Sequence, residues 1–96
     1  MFYTIYKITN KINGKYYIGK HQTKNLNDGY MGSGKLIMSA IKKYGKDSFI
    51  KEVLYIYDSY EEACAKEKEI VNIDFLKNKN SYNLRVGGDG GNTNVL

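Results

Sequence analysis

The chain has 96 residues, of which 42% are hydrophobic and 26% charged, and a formal net charge of +5. This length supports one folded domain, and the composition is that of a globular chain rather than a disordered one. Cys64 is the single cysteine, which excludes a disulfide framework and a cysteine-rich zinc site. No apolar run reaches the roughly 20 residues of a membrane helix, and the N-terminus lacks a signal-peptide pattern. We therefore expect an intracellular protein with no membrane partner.

The positive charge is concentrated in the first half of the chain. Residues 1–51 carry ten lysines and two acidic residues, a net +8, whereas residues 52–96 carry a net −3. A basic half interleaved with tyrosines is typical of a nucleic-acid partner, although an ordinary solvated lysine-rich surface has the same composition. The lysines that we expect to contact phosphates are Lys20, Lys24, Lys35 and Lys42.

The first half of the chain predicts a hairpin, a loop and a helix. Residues 2–9 and 15–20 are rich in aromatic and β-branched residues and predict two strands, joined by an Asn-Gly turn at 10–14. Residues 21–34 predict a loop. Apolar residues at helical spacing predict a helix over 34–44 that ends at Gly45.

The second half predicts a strand and a longer helix. Residues 48–57 predict a third strand, apolar enough to be central in a sheet. Ser59 and Glu62 form a capping box that opens a helix to about Leu76. A turn at 77–81 and a closing segment at 82–86 follow, and residues 87–96 form a glycine-rich tail or the start of a linker. The β-β-α-β-α order predicts one α+β domain over 1–86, with a small three-stranded antiparallel sheet flanked by helices.

Tyr6 and Tyr17 flank the predicted turn at comparable distances, so their phenols are expected to meet on one face of the sheet. Two adjacent phenols beside a basic surface can position a water molecule or accept its proton. Simple packing of tyrosines in a sheet is the alternative, and the spacing alone favours it.

The segment from Gly29 to Lys35, GYMGSGK, nearly matches a phosphate-binding P-loop. Leu36 stands where that motif needs a serine or threonine to hold magnesium, so we expect no nucleotide cofactor. Glycines at a helix N-terminus with a lysine behind them are still able to hold one phosphate.

One carboxylate of the second predicted helix lies in an apolar stripe. On a helical wheel Glu67 falls among the apolar residues, and Glu69 points to the far side. A carboxylate facing a core requires a metal ion, a hydrogen-bond network or a lysine partner. His21, the single histidine, is expected to follow the second strand and to handle a proton near neutral pH.

These motifs resemble the GIY-YIG endonuclease family across essentially the whole chain. The resemblance rests on residues 4–6 (TIY), residues 17–19 (YIG), a later helix glutamate and residues 82–83 (YN). Within that family, the sequence is similar to the free-standing and intron-borne homing endonucleases of phages. The resemblance implies a monomeric domain that cuts double-stranded DNA with Mg²⁺ or Mn²⁺, inside a phage-infected bacterial host.

The resemblance also implies residue roles. Tyr6 corresponds to the general base, Tyr17 to the residue that places the water and the scissile phosphate, and Gly19 to a position of close backbone approach. Glu67 corresponds to the metal ligand, because Ala63 precedes it by four residues and aliphatic residues follow it. Asn83 corresponds to the terminal asparagine that supports the site through hydrogen bonds.

Two positions depart from the family pattern. Thr4 replaces the first glycine, which a strand tolerates. The helix arginine has no counterpart, since Arg85 is the one arginine, so Lys35 or His21 is expected to take its place at the transition state. Two other functions stay open: a non-catalytic nucleic-acid-binding module, and a protein-interaction domain that uses the acidic second half.

Overall fold

Three strands and three helices are seen in the computed structural model, which describes residues 1–84 and Gly87, and their order is the predicted β-β-α-β-α with a short third helix after it. This confirms the α+β class. A single 3-10 turn at Lys46–Ser48 precedes the last strand. The elements are β1 (Phe2–Asn10), β2 (Tyr16–Thr23), α1 (Lys35–Tyr44), β3 (Phe49–Tyr57), α2 (Tyr60–Ile70) and α3 (Ile73–Leu76).

The central strand of the antiparallel sheet is β1, and the order is β2-β1-β3. The prediction that the third strand is central was wrong. The tight hairpin places β2 on one side of β1, and the connection through α1 brings β3 to the other side. The apolar composition of β3 does not indicate a central strand, because Ile50, Val53 and Ile56 remain exposed.

The second strand continues beyond its predicted end and includes His21, which was expected in a loop. Phe2, Tyr3 and Thr4 at the start of β1 pair with Thr23, Gln22 and His21. Thr4 Oγ1 also donates a hydrogen bond to the His21 carbonyl at 3.0 Å. The long first strand therefore extends its partner past the polar residues that predicted a loop.

The predicted long second helix is interrupted at Val71 and Asn72. The Asn72 side chain accepts a hydrogen bond from Phe75 N at 2.9 Å and thereby caps α3. Asparagine side chains compete with the helical backbone in this way, which explains the break. No helix among residues 1–84 has the length and apolar character to cross a bilayer.

Helices cover both faces of the sheet. Because side chains alternate along a strand, β1 contributes Tyr6 to one face and Ile5 to the other. Ile37 and Ala40 of α1 pack on the first face, which we call the α1 face. Ala63 of α2 and the residues after it pack on the second, the α2 face. Glu67 therefore approaches the sheet from the side opposite to Tyr6.

The segment after α3 returns along the outer edge of β2. Tyr82 N donates to Tyr16 O at 2.7 Å, and the Tyr82 hydroxyl accepts from the amides of Asn10 and Asn13 in the hairpin turn. The predicted closing segment is thus seen as far as residue 84. The predicted boundary at residues 86 and 87 and the tail lie, apart from Gly87, outside the described residues.

Removing the Tyr82 hydroxyl tests this closure. Tyr82→Phe leaves the buried Asn10 amide without its acceptor, so we expect a loss of about 1–3 kcal/mol in the free energy of unfolding. Urea denaturation measures the loss. Tyr55→Phe, at an exposed position, is the control and should change stability by less than about 0.5 kcal/mol. Equal stability of wild type and Tyr82→Phe would contradict the role assigned to this hydroxyl.

Candidate active site

Three tyrosines meet under α1. Tyr6 pairs with Gly19 across the hairpin and Tyr17 with Ile8, so Tyr6 and Tyr17 are diagonal neighbours on one face. Their ring centroids lie 6.1 Å apart. Tyr30, from the loop before α1, meets the Tyr6 ring edge-on at 5.8 Å. The hairpin thus brings the two predicted phenols together, and Tyr30 is a third that the sequence did not reveal.

Burial makes these phenols hard to ionise. It raises the pKa of Tyr6 far above the usual range, and the neighbouring phenols of Tyr17 and Tyr30 add to the effect. Burial is also the largest cause that raises the pKa of Tyr17, and the negative charge of Glu67 is the second. The general-base role expected for Tyr6 requires a lowered pKa, and the surroundings of the phenol do the opposite. Burial therefore favours the neutral form of both hydroxyls.

Gly19 leaves the space that the Tyr6 phenol fills. A Cβ at this position would overlap Tyr6 Oη and lie 2.8 Å from Tyr17 Cε2. Any side chain there would displace one phenol or the other. The close approach expected at Gly19 is thus, in this chain, an approach of the Tyr6 phenol to the Gly19 backbone.

The glycine-rich segment before α1 forms a wall against Tyr17. A Cβ at Gly32 or Gly34 would lie 3.0–3.4 Å from atoms of Tyr17 and its neighbours. At Gly34 it would lie 3.3 Å from Tyr17 Oη, so the N-terminus of α1 is next to this hydroxyl. Lys35, the first residue of α1, is exposed. The P-loop-like glycines allow close packing against the Tyr17 ring, and they bring the N-terminus of α1 next to its hydroxyl.

His21 is paired and stacked. Its Nε2 lies 2.6 Å from Asp28 Oδ2, and its ring stacks on Tyr30 at a centroid distance of 3.8 Å. Lys51 Nζ donates to the Tyr30 carbonyl at 2.7 Å and lies over the Tyr6 ring. Burial lowers the pKa of Lys51. Sequence reasoning missed Asp28, Tyr30 and Lys51, because loop geometry and a distant strand bring them here.

Glu67 lies at the inner side of α2, as the helical wheel predicts. Its side chain is 14% exposed, against 67% for Glu69, which pairs with Lys66 at 2.6 Å. Glu67 Oε1 lies 3.8 Å from Lys20 Nζ. After burial, the negative charge of Glu67 is the next cause that raises the pKa of Tyr17, although the two side chains belong to opposite faces of the sheet.

The expected phosphate-contacting lysines differ in their surroundings. Lys20 Nζ lies 3.0 Å from Cys64 Sγ and over the Tyr60 ring, so contacts with α2 occupy much of its surface. Cys64 is half-buried there rather than in the core. Lys24 and Lys42 are exposed. Lys20 is therefore mainly a neighbour of α2 and Glu67.

The terminal asparagine holds the middle of β2. Asn83 Oδ1 accepts from Ile18 N at 3.0 Å, and its Nδ2 donates to Ile18 O at 2.7 Å. This pair of bonds imitates a neighbouring strand. It fixes the backbone between Tyr17 and Gly19.

The donor set fits a divalent cation that takes few protein ligands. Residues 1–84 and Gly87 contain no group of three or more histidine, cysteine or acidic side chains that could enclose a metal. Mg²⁺ commonly binds through one or two carboxylates, with waters and substrate phosphates completing its shell. Glu67 is a carboxylate of this kind, and Lys20 beside Oε1 would compete with the cation for the same oxygen.

The chain has homologues among phage proteins named as endonucleases. It is 56% identical over 91 residues to "Putative endonuclease segB" of Enterobacteria phage T4, which is 95% of this chain and 41% of the relative. It is 52% identical over 91 residues to "Putative endonuclease segE" of the same phage, which is 95% of this chain and 44% of the relative. It is 49% identical over 86 residues to "Endonuclease segA" of that phage, which is 90% of this chain and 39% of the relative.

These relatives are much longer than the chain, which spans about two fifths of their length. No protein-family model matches the chain, and no solved structure matches it significantly. The expected relationship to phage endonucleases is confirmed at this general level.

Substituting Gly19 tests the packing of the two phenols. Gly19→Ala introduces a methyl group into the position of Tyr6 Oη, so we expect a loss of about 1–3 kcal/mol in the free energy of unfolding. In a double-mutant cycle, Gly19→Ala should cost less in a Tyr6→Leu background, because the overlapping ring is gone. Denaturant titration of the four proteins gives the coupling. Additivity within about 0.5 kcal/mol would contradict the proposed clash.

Proposed function

We propose that this chain is a GIY-YIG-type catalytic domain that hydrolyses phosphodiester bonds of double-stranded DNA with a divalent cation. The observation that carries the proposal is the arrangement at the edge of β2. There the Tyr6 and Tyr17 phenols pack over Gly19 beside the N-terminus of α1, and the Glu67 carboxylate acts on Tyr17 from the other face of the sheet. Homologues named as phage endonucleases support the same reaction.

The charge distribution supports DNA as the substrate. The first half of the chain, with its net +8, supplies both strands of the hairpin and the whole of α1. Exposed Lys24, Lys35 and Lys42 are able to neutralise backbone phosphates without reading sequence. The domain alone therefore provides affinity, and we assign no target sequence to it.

The chemistry assigned to the chain's own residues is positioning and charge stabilisation. The neutral hydroxyls of Tyr6 and Tyr17 donate hydrogen bonds toward the reacting phosphate or the water, and donors aligned in advance stabilise developing charge. Lys35 and the first turn of α1 add positive potential beside Tyr17, in the place of the family's arginine. Glu67 would hold Mg²⁺ or Mn²⁺, which supplies Lewis-acid stabilisation of phosphate oxygens when bound.

A non-catalytic nucleic-acid-binding module is the second candidate. Several lysines lie over tyrosine rings, among them Lys7 over Tyr16 and Lys43 over Tyr44. Such pairs are suited to stacking and phosphate contact without chemistry. A binder of this kind shifts DNA in a gel without cutting it.

Supercoiled plasmid, with and without Mg²⁺, tests the proposal with a matched pair of glutamate variants. We expect Mg²⁺-dependent nicking or cutting by wild type and a loss of about 10²-fold or more in Glu67→Gln, the scale of one lost electrostatic stabiliser. Glu69→Gln removes an exposed charge two residues away and should change the rate by a small factor. A gel shift without cleavage by wild type would favour the binding module.

Tyr6→Phe tests the assigned donor. The change removes one hydroxyl and little volume, so we expect cleavage to fall by about 10²-fold with DNA affinity retained. The rate of plasmid nicking and a gel-shift titration measure the two quantities. Normal nicking by Tyr6→Phe would show that Tyr6 contributes packing alone.

A further inference from the structure

Asp28 and Tyr30, two residues of the loop between β2 and α1, hold the His21 imidazole from two directions. Nε2 contacts Asp28 Oδ2 at 2.6 Å. The ring lies flat on Tyr30 with an interplanar angle of 5°. His21 lies two residues after Gly19 and four residues after Tyr17 in β2. Because side chains two residues apart in a strand share a face, the His21 side chain lies on the α1 face with Tyr17. The imidazole is therefore held in one orientation beside the tyrosines.

The partners of Asp28 establish which ring nitrogen carries the proton. Oδ1 accepts from Tyr30 N at 3.0 Å, and Oδ2 contacts Thr23 Oγ1 at 2.7 Å as well as His21. The hydrogen bond from His21, then those from the Tyr30 backbone and Thr23, hold the pKa of Asp28 far below its usual range. An aspartate carboxyl is ionised at neutral pH already at its ordinary pKa of about 4, and a carboxylate accepts hydrogen bonds only. Nε2 must then be the donor, and Nδ1 carries the lone pair of the neutral ring.

We propose that Asp28 is a positioning residue that fixes the Nε2–H tautomer of His21, so that Nδ1 accepts the proton of the attacking water. This inference rests on the proposed function. As the water oxygen bonds to phosphorus, its proton moves to Nδ1 and the P–O3′ bond breaks with its electron pair on the 3′ oxygen. That oxygen then takes a proton from solvent. The imidazolium that forms is stabilised by the Asp28 carboxylate, which stays ionised throughout.

This assignment gives Tyr6 and His21, which both lie on the α1 face, different roles. The Tyr6 hydroxyl is buried and keeps its proton, which suits a donor. An imidazole nitrogen that carries a lone pair is able to accept a proton, which suits a general base. His21 is the catalytic residue of the pair, and Asp28 acts through it.

Asp28→Asn makes a sharp test because its effect on the tautomer follows from geometry. Tyr30 N is a donor, so the oxygen of the new amide stays opposite it and the NH₂ group takes the place of Oδ2. That NH₂ group faces Nε2, which must then accept, and the ring proton moves to Nδ1. The substitution thus removes the lone pair that the reaction needs, with almost no change in shape.

The tautomer is measurable without any activity. His21 is the single histidine of the chain, so a long-range ¹H–¹⁵N spectrum of the untagged protein at pH 8 contains one imidazole. We expect Nε2 protonated in wild type and in Asp47→Asn, a control at an exposed acidic residue, and Nδ1 protonated in Asp28→Asn. An Nδ1–H ring in wild type, or the same tautomer in Asp28→Asn as in wild type, would overturn the positioning role.

Plasmid cleavage provides the second readout. We expect kcat to fall by about 10²–10⁴-fold in Asp28→Asn, the upper value being that of a comparable wrong-tautomer variant in serine proteases, with KM little changed. A switched tautomer with normal kcat would overturn the proton-acceptor role of Nδ1 and leave the proposed endonuclease function standing. Absence of cleavage by wild type would overturn the endonuclease function, and with it the proton-acceptor role, while the spectra still decide whether Asp28 fixes the tautomer.

Discussion

The pairing of β1 on both of its edges determines the rest of the structure. A strand bonded on both sides and covered on both faces must bury alternate residues in opposite directions, and Ile5 and Tyr6 are both buried for this reason. Burial of Tyr6 in turn requires an empty position opposite it on β2, which Gly19 provides. The alternation also assigns α1 to the phenols and α2 to the carboxylate.

The edge of β2 is the place where the two faces act on one another. A three-stranded sheet is narrow, so a long side chain on either face reaches the edge. Tyr17 on the α1 face lies close enough to Glu67 on the α2 face for the carboxylate to raise its pKa. Asn83 bonds to the intervening Ile18 backbone and keeps this edge from fraying.

The sequence predicts the features that depend on local patterns and leaves out those that depend on distant packing. The Asn-Gly turn, the helix N-cap at Ser59 and the inward side of α2 are local, and each is seen in the structure. The place of β3 in the sheet was not predictable from its apolar composition, because that depends on which edge of β1 it meets. The end of β2 was missed because pairing with Phe2–Thr4 overrides the polar composition of its last residues.

The same distinction explains which polar groups of the candidate site were missed. Tyr6, Tyr17 and Glu67 belong to regular elements, so a period of 2.0 or 3.6 residues places them. Asp28 and Tyr30 belong to an irregular loop, where no period applies, and Lys51 arrives from β3. The loop is nevertheless held firmly, since Asp28 accepts hydrogen bonds from the backbone of Tyr30 and contacts Thr23. Those same bonds lower the pKa of Asp28, so the contacts that order the loop also keep a carboxylate ionised beside the imidazole.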